Sequence, residues 1–263
     1  MEKPRVTTYK DLPDKEVIRS AVNIANPLMK AVILFMSSSG TARAETLNLT
    51  IMDYINATIE YHQSRNIYEA IDRLKEMKDV VPTFNILRLK TNKFYTTYCS
   101  PEAVTAINHY LLSRKDPLNP ESKLFKIGES QFIIKFEEIN DELRLGNVGH
   151  YRRFRSHMLR KFHASQLYND GMSLDKVNDL QGKTKNRTDS AYFMINPEDL
   201  KYEYIQHLPC LMIGKEVEKI TIKSKEFQEL ETQNRELKNQ MDSILDKINQ
   251  LENLSWDDAR DEY

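Results

Sequence analysis

The chain has 263 residues, enough for one large domain or two small ones with a substantial apolar core. Its formal net charge is −1, so it is not a polycation, and any affinity for nucleic acid must come from local basic patches. Two cysteines are too few for a disulfide framework or a cysteine metal site, and free thiols in a reducing compartment are expected. No signal-peptide pattern is visible and the longest apolar run, Ala31–Met36, is too short to cross a bilayer, so we expect a cytoplasmic protein.

The predicted elements are mainly helical. Apolar spacing predicts a first helix over Asp14–Ala25, and Asn26 followed by Pro27 predicts the start of a second. Residues 28–36 are apolar nearly all round, which predicts a buried helix that residues 37–40 end. Residues 49–78 are expected to be largely helical. Cap patterns predict later helices over about 100–112, 131–145, 173–180 and 196–208.

Arg43 is the first candidate site residue. Thr41 is expected to cap a third helix, which places Arg43 in the first turn. The free N–H groups of a helix N-terminus attract phosphate, and a guanidinium adds a planar fork of donors. The alternative is a surface arginine paired with a nearby acid.

Two alternating segments predict a β-hairpin, with strands over 84–90 and 93–99 joined by a turn at Thr91-Asn92. Lys90 and Lys93 then lie at its tip. The alternative is that these lysines are solvated and protect the edge of a small sheet.

The segment His150–Ser165 contains five Lys or Arg, three His and no acidic residue. Ser156 is expected to cap a helix over 157–168, where the i, i+3 spacing places His157 and Arg160 on one face. We expect the arginines just before this helix to contact the DNA backbone, which makes binding strongly salt-dependent; the alternative is a solvated loop. These arginines are Arg152, Arg153 and Arg155.

These residue types suit the transfer of a phosphodiester to a phenol. Arg43 and Arg160 are permanent cations that can hold the extra negative charge of the transition state, and His157 can donate or shuttle a proton. Tyr192 has a reference pKa near ~10, so nearby cations must make its phenolate accessible. Lys183, on a loop just past a helix end, adds a further donor. With thirteen tyrosines in the chain, most are structural, but Tyr192 alone has this context.

The order of these local patterns resembles the catalytic domain of the tyrosine recombinases, the phage-integrase family of DNA breaking and joining enzymes. The resemblance spans roughly residues 12–208 and is most specific at the His-x-x-Arg box and the tyrosine that follows it. Within this family, the pattern of this chain resembles that of archaeal virus and plasmid integrases in particular. The stretches that carry the resemblance are Gly40–Glu45 (first arginine), Leu89–Asn92 (hairpin lysine), His157–Arg160, Leu180–Lys183 and Thr188–Tyr192.

The resemblance implies a mainly α fold with a small antiparallel β-sheet, an α+β catalytic domain over 1–223. It implies a site-specific recombinase (integrase) of mobile elements that binds double-stranded DNA and forms a 3′-phosphotyrosyl link through Tyr192. It also implies Lys90 as the acid that protonates the leaving 5′ oxygen, with Lys93 left open as the alternative. No metal or other cofactor is required. Self-association on DNA as a dimer or tetramer is expected.

The chain departs from the family pattern at two points. Lys183 replaces the usual His or Trp, although a lysine can still donate to a phosphate oxygen. Family members also carry an N-terminal domain that clasps the other face of the DNA. The chain is therefore expected to be a fragment, or to hold its DNA in another way.

Two alternative functions use the same residues. A type IB topoisomerase-like enzyme shares the chemistry without partner exchange, and strand exchange between two duplexes separates the two. A non-catalytic DNA-binding or regulatory protein would dimerise through the C-terminal segment and form no covalent adduct.

Residues 224–256 are expected to form a helix and 257–263 a disordered tail. A heptad pattern from Phe227 predicts a coiled coil, and a single Asn among the a positions favours a two-stranded form. The alternative is one amphipathic helix folded back on the domain, because Leu245 and Leu254 widen the apolar stripe. The a positions are Phe227, Asn234, Met241 and Ile248, and the d positions are Leu230, Leu237, Ile244 and Leu251.

Deleting residues 227–254 is therefore expected to lower the mass measured by light scattering, because the coil joins two chains. An unchanged mass would reject the intermolecular coil.

Overall fold

The computed structural model of the chain describes residues 8–183, 196–214 and Met241. The chain divides into two units, Met1–Ile220 and Thr221–Tyr263, and every element given below lies in the first. The predicted mainly helical fold is confirmed, with two small antiparallel sheets where one was expected. The α-helices of the described residues are α1 (Lys15–Ile24), α2 (Pro27–Ser39), α3 (Arg43–Asn48), α4 (Ile51–Ala57), α5 (Ile59–His62), α6 (Ile67–Lys75), α7 (Pro101–Ser113), α8 (Glu129–Glu142), α9 (Ser156–Asn169), α10 (Leu174–Leu180) and α11 (Pro197–His207). The strands are β1 (Thr83–Arg88), β2 (Lys93–Tyr98), β3 (Asn147–Val148) and β4 (Tyr151–Arg152).

Helix α2 lies at the centre of the fold. Its residues 31–36 are buried because α1, α7 and α9 pack around it. The serines that were expected to end this helix continue it instead. Ser37 and Ser38 remain helical, and their buried hydroxyls are satisfied within the helix because they donate to Leu34 O, at 3.1 and 2.7 Å. Tyr204 of α11 donates to Ser38 O at 2.8 Å, which ties the C-terminal helix of the domain to α2.

Gly40 ends α2 in a left-handed conformation, with φ of 66°. A Cβ atom at this position would overlap the ring of His163, which is fully buried on α9. Both the backbone angle and the close approach of α9 therefore require glycine here.

The first hairpin is confirmed, with antiparallel pairing from Thr83 opposite Tyr98 to Arg88 opposite Lys93. Its turn covers residues 89–92. The Thr97 hydroxyl donates to Ser39 O at 2.8 Å, so the hairpin is fastened to the end of α2. Helices α10 and α11 pack against β2.

Most predicted helix caps are confirmed, but two helix starts differ. Ala42, not Thr41, is the N-cap of α3, because the Thr41 hydroxyl is taken up by a buried hydrogen bond to Thr46 at 2.8 Å. Helix α9 begins at Ser156 itself, with Arg155 in the extended N-cap position. The confirmed side-chain caps are Asn26, Ser100, Ser173 and Asn196.

Apart from Met241, the predicted coil over Phe227–Leu251 lies outside the described residues, and so does Tyr192. Within residues 8–183 and 196–214, none of the helices has the length and apolar character needed to cross a membrane.

Replacing Gly40 by alanine should lower the free energy of unfolding by about 2–4 kcal/mol, because left-handed strain and overpacking against His163 both act. Gly149→Ala is the matched control, since Gly149 also has a positive φ (61°) but nothing lies within 4 Å of its added Cβ. Gly149→Ala should lower the free energy of unfolding by only about 1 kcal/mol, because only the backbone strain acts there. Equal losses in urea-unfolding experiments on the two variants would contradict the close packing of α2 on α9.

Candidate active site

Arg160 is a buried arginine on α9 whose guanidinium is held by backbone oxygens. Nη1 donates to Gly40 O at 2.5 Å and Nη2 to Gln181 O at 2.6 Å. In return, the Gln181 side chain donates from Nε2 to Arg160 O at 2.9 Å. The guanidinium of Arg160 is therefore fixed between the end of α2 and the end of α10.

Glu45 is the buried acid closest to this guanidinium, at 3.7 Å from Nη1. The same carboxylate oxygen accepts from the Ala42 N–H and from the Tyr95 hydroxyl, both at 2.8 Å. Burial, and then the negative charge of Glu45, raise the pKa of Tyr95. Tyr95 is therefore a neutral donor that helps to hold Glu45 beside Arg160.

Arg88, the last residue of β1, was not a candidate from the sequence. Its Nη1 donates to Gln181 O at 3.0 Å and also to Gly182 O. Gly182 has a φ of 58°, and the ring of Tyr95 occupies the space of a side chain at this position. The hairpin therefore contacts the α10–Lys183 loop through both of its strands.

Lys183 follows directly and is exposed at the edge of this cluster. Partial desolvation, then the nearby charges of Arg160 and Arg88, lower its pKa. Desolvation is also the first cause of the lowered pKa of Arg160. Three cations thus share a region in which Glu45 is the adjacent buried acid, and an anion in this region would relieve their repulsion.

Arg43 begins α3 and lies in sequence between Gly40 and Glu45, which both contact Arg160. Its half-exposed side chain pairs with Glu129 Oε1 of α8 at 2.8 Å. The structure thus shows the pairing with a nearby acid that was the alternative to phosphate binding.

His157 is exposed on α9, one turn before Arg160. Partial desolvation lowers its pKa, and the neighbouring charges of Lys161, Arg155 and Arg160 act in the same direction. The shift favours the neutral form of the imidazole. Lys90 and Lys93 are exposed at the hairpin turn, as predicted.

The three arginines before α9 each have a local partner. Arg152 pairs with Asp141 at 2.8 Å, Arg153 donates to Lys10 O at 3.0 Å, and Arg155 lies over the Tyr151 ring at 4.8 Å from its centroid. All three are partly buried. Contact with DNA remains a prediction.

His163 supports the cluster from within the core. Its Nδ1 accepts from Gln181 Nε2 at 3.2 Å, which leaves the proton on Nε2, where no partner lies among the described residues. Burial lowers the pKa of His163 to about 3, and the charges of Arg160 and Lys183 contribute. Within the described residues, His, Cys, Asp and Glu side chains form no group of three that could hold a metal ion.

The sequence model of the phage integrase family matches residues 14–198, which include Arg43, Arg160 and Lys183. The chain belongs to the phage integrase family, the tyrosine recombinases.

Solved structures of other recombinases are also similar to this phage integrase family member. They include the XerA recombinase, with 18% identity and a TM-score of 0.48, over 79% of this chain and 66% of that one. The XerH site-specific recombinase bound to difH substrate, in a pre-cleavage complex, has 16% identity and a TM-score of 0.45, over 76% and 52%.

The Tn1549 transposon integrase in complex with circular intermediate DNA has 12% identity and a TM-score of 0.45, over 76% and 64% of the two chains. The chain thus spans between about half and two thirds of the length of these proteins. None of the curated protein sequences matches it significantly.

Replacing His163 by glutamine should make the free energy of unfolding depend less steeply on pH at acid pH. Its folded-state pKa of about 3 lies below the unfolded value near ~6.5, so the unfolded chain binds more protons between these values. Stability is fully present above pH ~6.5 and falls as the pH drops through this window, by up to about 1.4 kcal/mol per pH unit from this residue. Urea unfolding of both proteins between pH 4 and 8 measures the difference. Parallel curves would show that His163 is not buried in its neutral form.

Proposed function

We propose that this protein is a site-specific DNA recombinase that cuts and rejoins DNA strands through a covalent 3′-phosphotyrosine. The observation that carries the proposal is the fixed guanidinium of Arg160, which has Arg88 and Lys183 nearby and lies in a member of the phage integrase family. A partly desolvated cluster of cations is suited to the charge that develops on a phosphodiester in transit.

In the proposed reaction, the phenolate of Tyr192 attacks the scissile phosphorus and the bond from phosphorus to the 5′ oxygen breaks. Lys90 supplies the proton that the 5′ oxygen takes, with Lys93 as the other candidate. His157 accepts the phenol proton, a role that requires the neutral imidazole, and its lowered pKa favours that form. Attack by a 5′-hydroxyl on the phosphotyrosine reverses these bond changes, so the bond energy is kept for rejoining.

Arg160, Lys183 and Arg43 hold the non-bridging oxygens in this proposal. Arg43 must exchange its partner, because its guanidinium pairs with Glu129. Such an exposed pair contributes little, so a phosphate can replace the carboxylate at small cost.

The DNA backbone is proposed to contact Lys93 of the hairpin and the arginines before α9. Two of the similar structures are complexes, the XerH recombinase bound to difH substrate and the Tn1549 transposon integrase with circular intermediate DNA. Binding of this kind weakens steeply with salt. Assembly as a dimer or tetramer on DNA through Phe227–Leu251 is part of the same proposal.

Tyr192→Phe should abolish covalent adducts on a nicked suicide duplex while DNA binding is retained, because only the nucleophilic oxygen is lost. Tyr95→Phe is the control, since Tyr95 is the described tyrosine nearest to Arg160 by its hydrogen bond to Glu45. It should slow adduct formation by at most about tenfold, the value of one hydrogen bond. Adducts appear as shifted bands on a denaturing gel.

Adducts that persist in Tyr192→Phe would overturn the nucleophile assignment, and their loss in Tyr95→Phe alone would transfer it to Tyr95. A wild-type protein that binds duplexes but yields no adduct at any salt concentration would favour a non-catalytic DNA-binding protein.

A further inference from the structure

We propose that Arg88 is a positioning residue that holds Lys183 in the active site through hydrogen bonds to the two backbone carbonyls that precede it. This inference rests on the proposed recombinase function, in which Lys183 contacts the scissile phosphate. It assigns a role to a residue that lies two positions before Lys90 on the same hairpin.

Arg88 makes these hydrogen bonds with one nitrogen, Nη1, which donates to Gln181 O and Gly182 O. Gln181 is the C-cap of α10, so these carbonyls lie at a helix end, where the last C=O groups lack intrahelical partners. A cation is favoured there by the helix dipole as well as by the hydrogen bonds.

The loop is also restrained from two other directions. Arg160 Nη2 donates to Gln181 O at 2.6 Å, which fixes the side of the loop that faces α9. The ring of Tyr95 packs against Gly182 where a side chain would otherwise be. Because the backbone before Lys183 is fixed in this way, only the side-chain torsions of Lys183 remain free to change.

Arg88 acts on Lys183 through the backbone of the loop, because its Nη1 donates to the carbonyls of Gln181 and Gly182, the two residues before Lys183. Its charge lies close enough to Lys183 and Arg160 to disfavour their protonated forms, which is unfavourable unless an anion binds between them. The hairpin therefore carries Lys90 at its turn and sets the place of Lys183 through the end of β1, so that both lysines depend on one element.

A double-mutant cycle tests this coupling. Single-turnover adduct formation on the suicide duplex is measured for wild type, Arg88→Gln, Lys183→Ala and the double variant. Arg88→Gln should slow the reaction by about tenfold in the wild-type background but by less than about twofold when Lys183 is already absent. Arg88→Lys should recover part of the rate, because one ammonium can reach one of the two carbonyls.

Equal effects in both backgrounds, or a wild-type rate in Arg88→Gln, would overturn the inference. The control is Arg73→Gln, which removes an arginine bond to a backbone carbonyl elsewhere, from Nη1 to His62 O at 2.5 Å. It should lower the unfolding temperature without changing the dependence on Lys183.

Hydrogen exchange provides a readout that needs no activity, and it separates this inference from the proposed function. The Gly182 and Lys183 N–H groups donate to Asp179 O and Asn178 O, each at 2.8 Å. Their exchange should be faster in Arg88→Gln than in wild type or Arg73→Gln. Unchanged exchange would show that Arg88 does not hold the loop, even if the enzyme is active. Faster exchange, together with a wild-type protein that forms no adducts, would refute only the recombinase proposal.

Discussion

The structure around the candidate site depends on one constraint, the burial of the Arg160 guanidinium between two helix ends. A buried arginine is stable only if its donors are satisfied, and two carbonyl oxygens and the carboxylate of Glu45 surround it. Each of these partners is itself fixed. Gly40 is held by its left-handed turn, Gln181 by its reciprocal bond to Arg160, and Glu45 by Ala42 and Tyr95. The orientation of the fork is therefore set before any substrate arrives, which is what electrostatic stabilisation of a transition state requires.

This arrangement explains why short segments far apart in the chain must fold together. The end of α2, the start of α3, the hairpin and the end of α10 each place a polar group within reach of Arg160 or of its partners. The hairpin is the most connected of these, because β1 contacts the Lys183 loop and β2 contacts both Glu45 and Gly182. A change in the hairpin is thus expected to alter the cluster around Arg160 without unfolding the helical core.

Local patterns predicted what depends on local interactions. The caps at Asn26, Ser100 and Ser173 follow from side chains that reach N–H groups three residues away, and the hairpin follows from alternation around a turn. Thr41 failed as a cap because a buried partner, Thr46, competes for its hydroxyl. Glu45, which satisfies the Ala42 N–H, could have been recognised from its position three residues later.

The candidate site was predictable only in part. Arg160 and Lys183 were predicted from their local contexts, and the structure brings their charges near each other, while their roles stay predictions. Arg88 and Tyr95 were missed because their partners are distant in sequence, 93 residues away for Arg88 and Gln181. The pairing of Arg43 with Glu129 of α8 also depends on the tertiary fold.

The most direct test of the central claim, that Arg160 stabilises the negative charge of the phosphodiester in transit, changes the charge of the substrate. Adduct formation by wild type and Arg160→Ala is compared on suicide duplexes that carry either the normal scissile phosphate or a neutral methylphosphonate. Arg160→Ala should be inactive on the phosphate and regain activity on the methylphosphonate, because the charge that the arginine balances is then absent. Equal inactivity on both substrates, by a variant that still folds and binds DNA, would show that Arg160 only supports the fold and would contradict the claim.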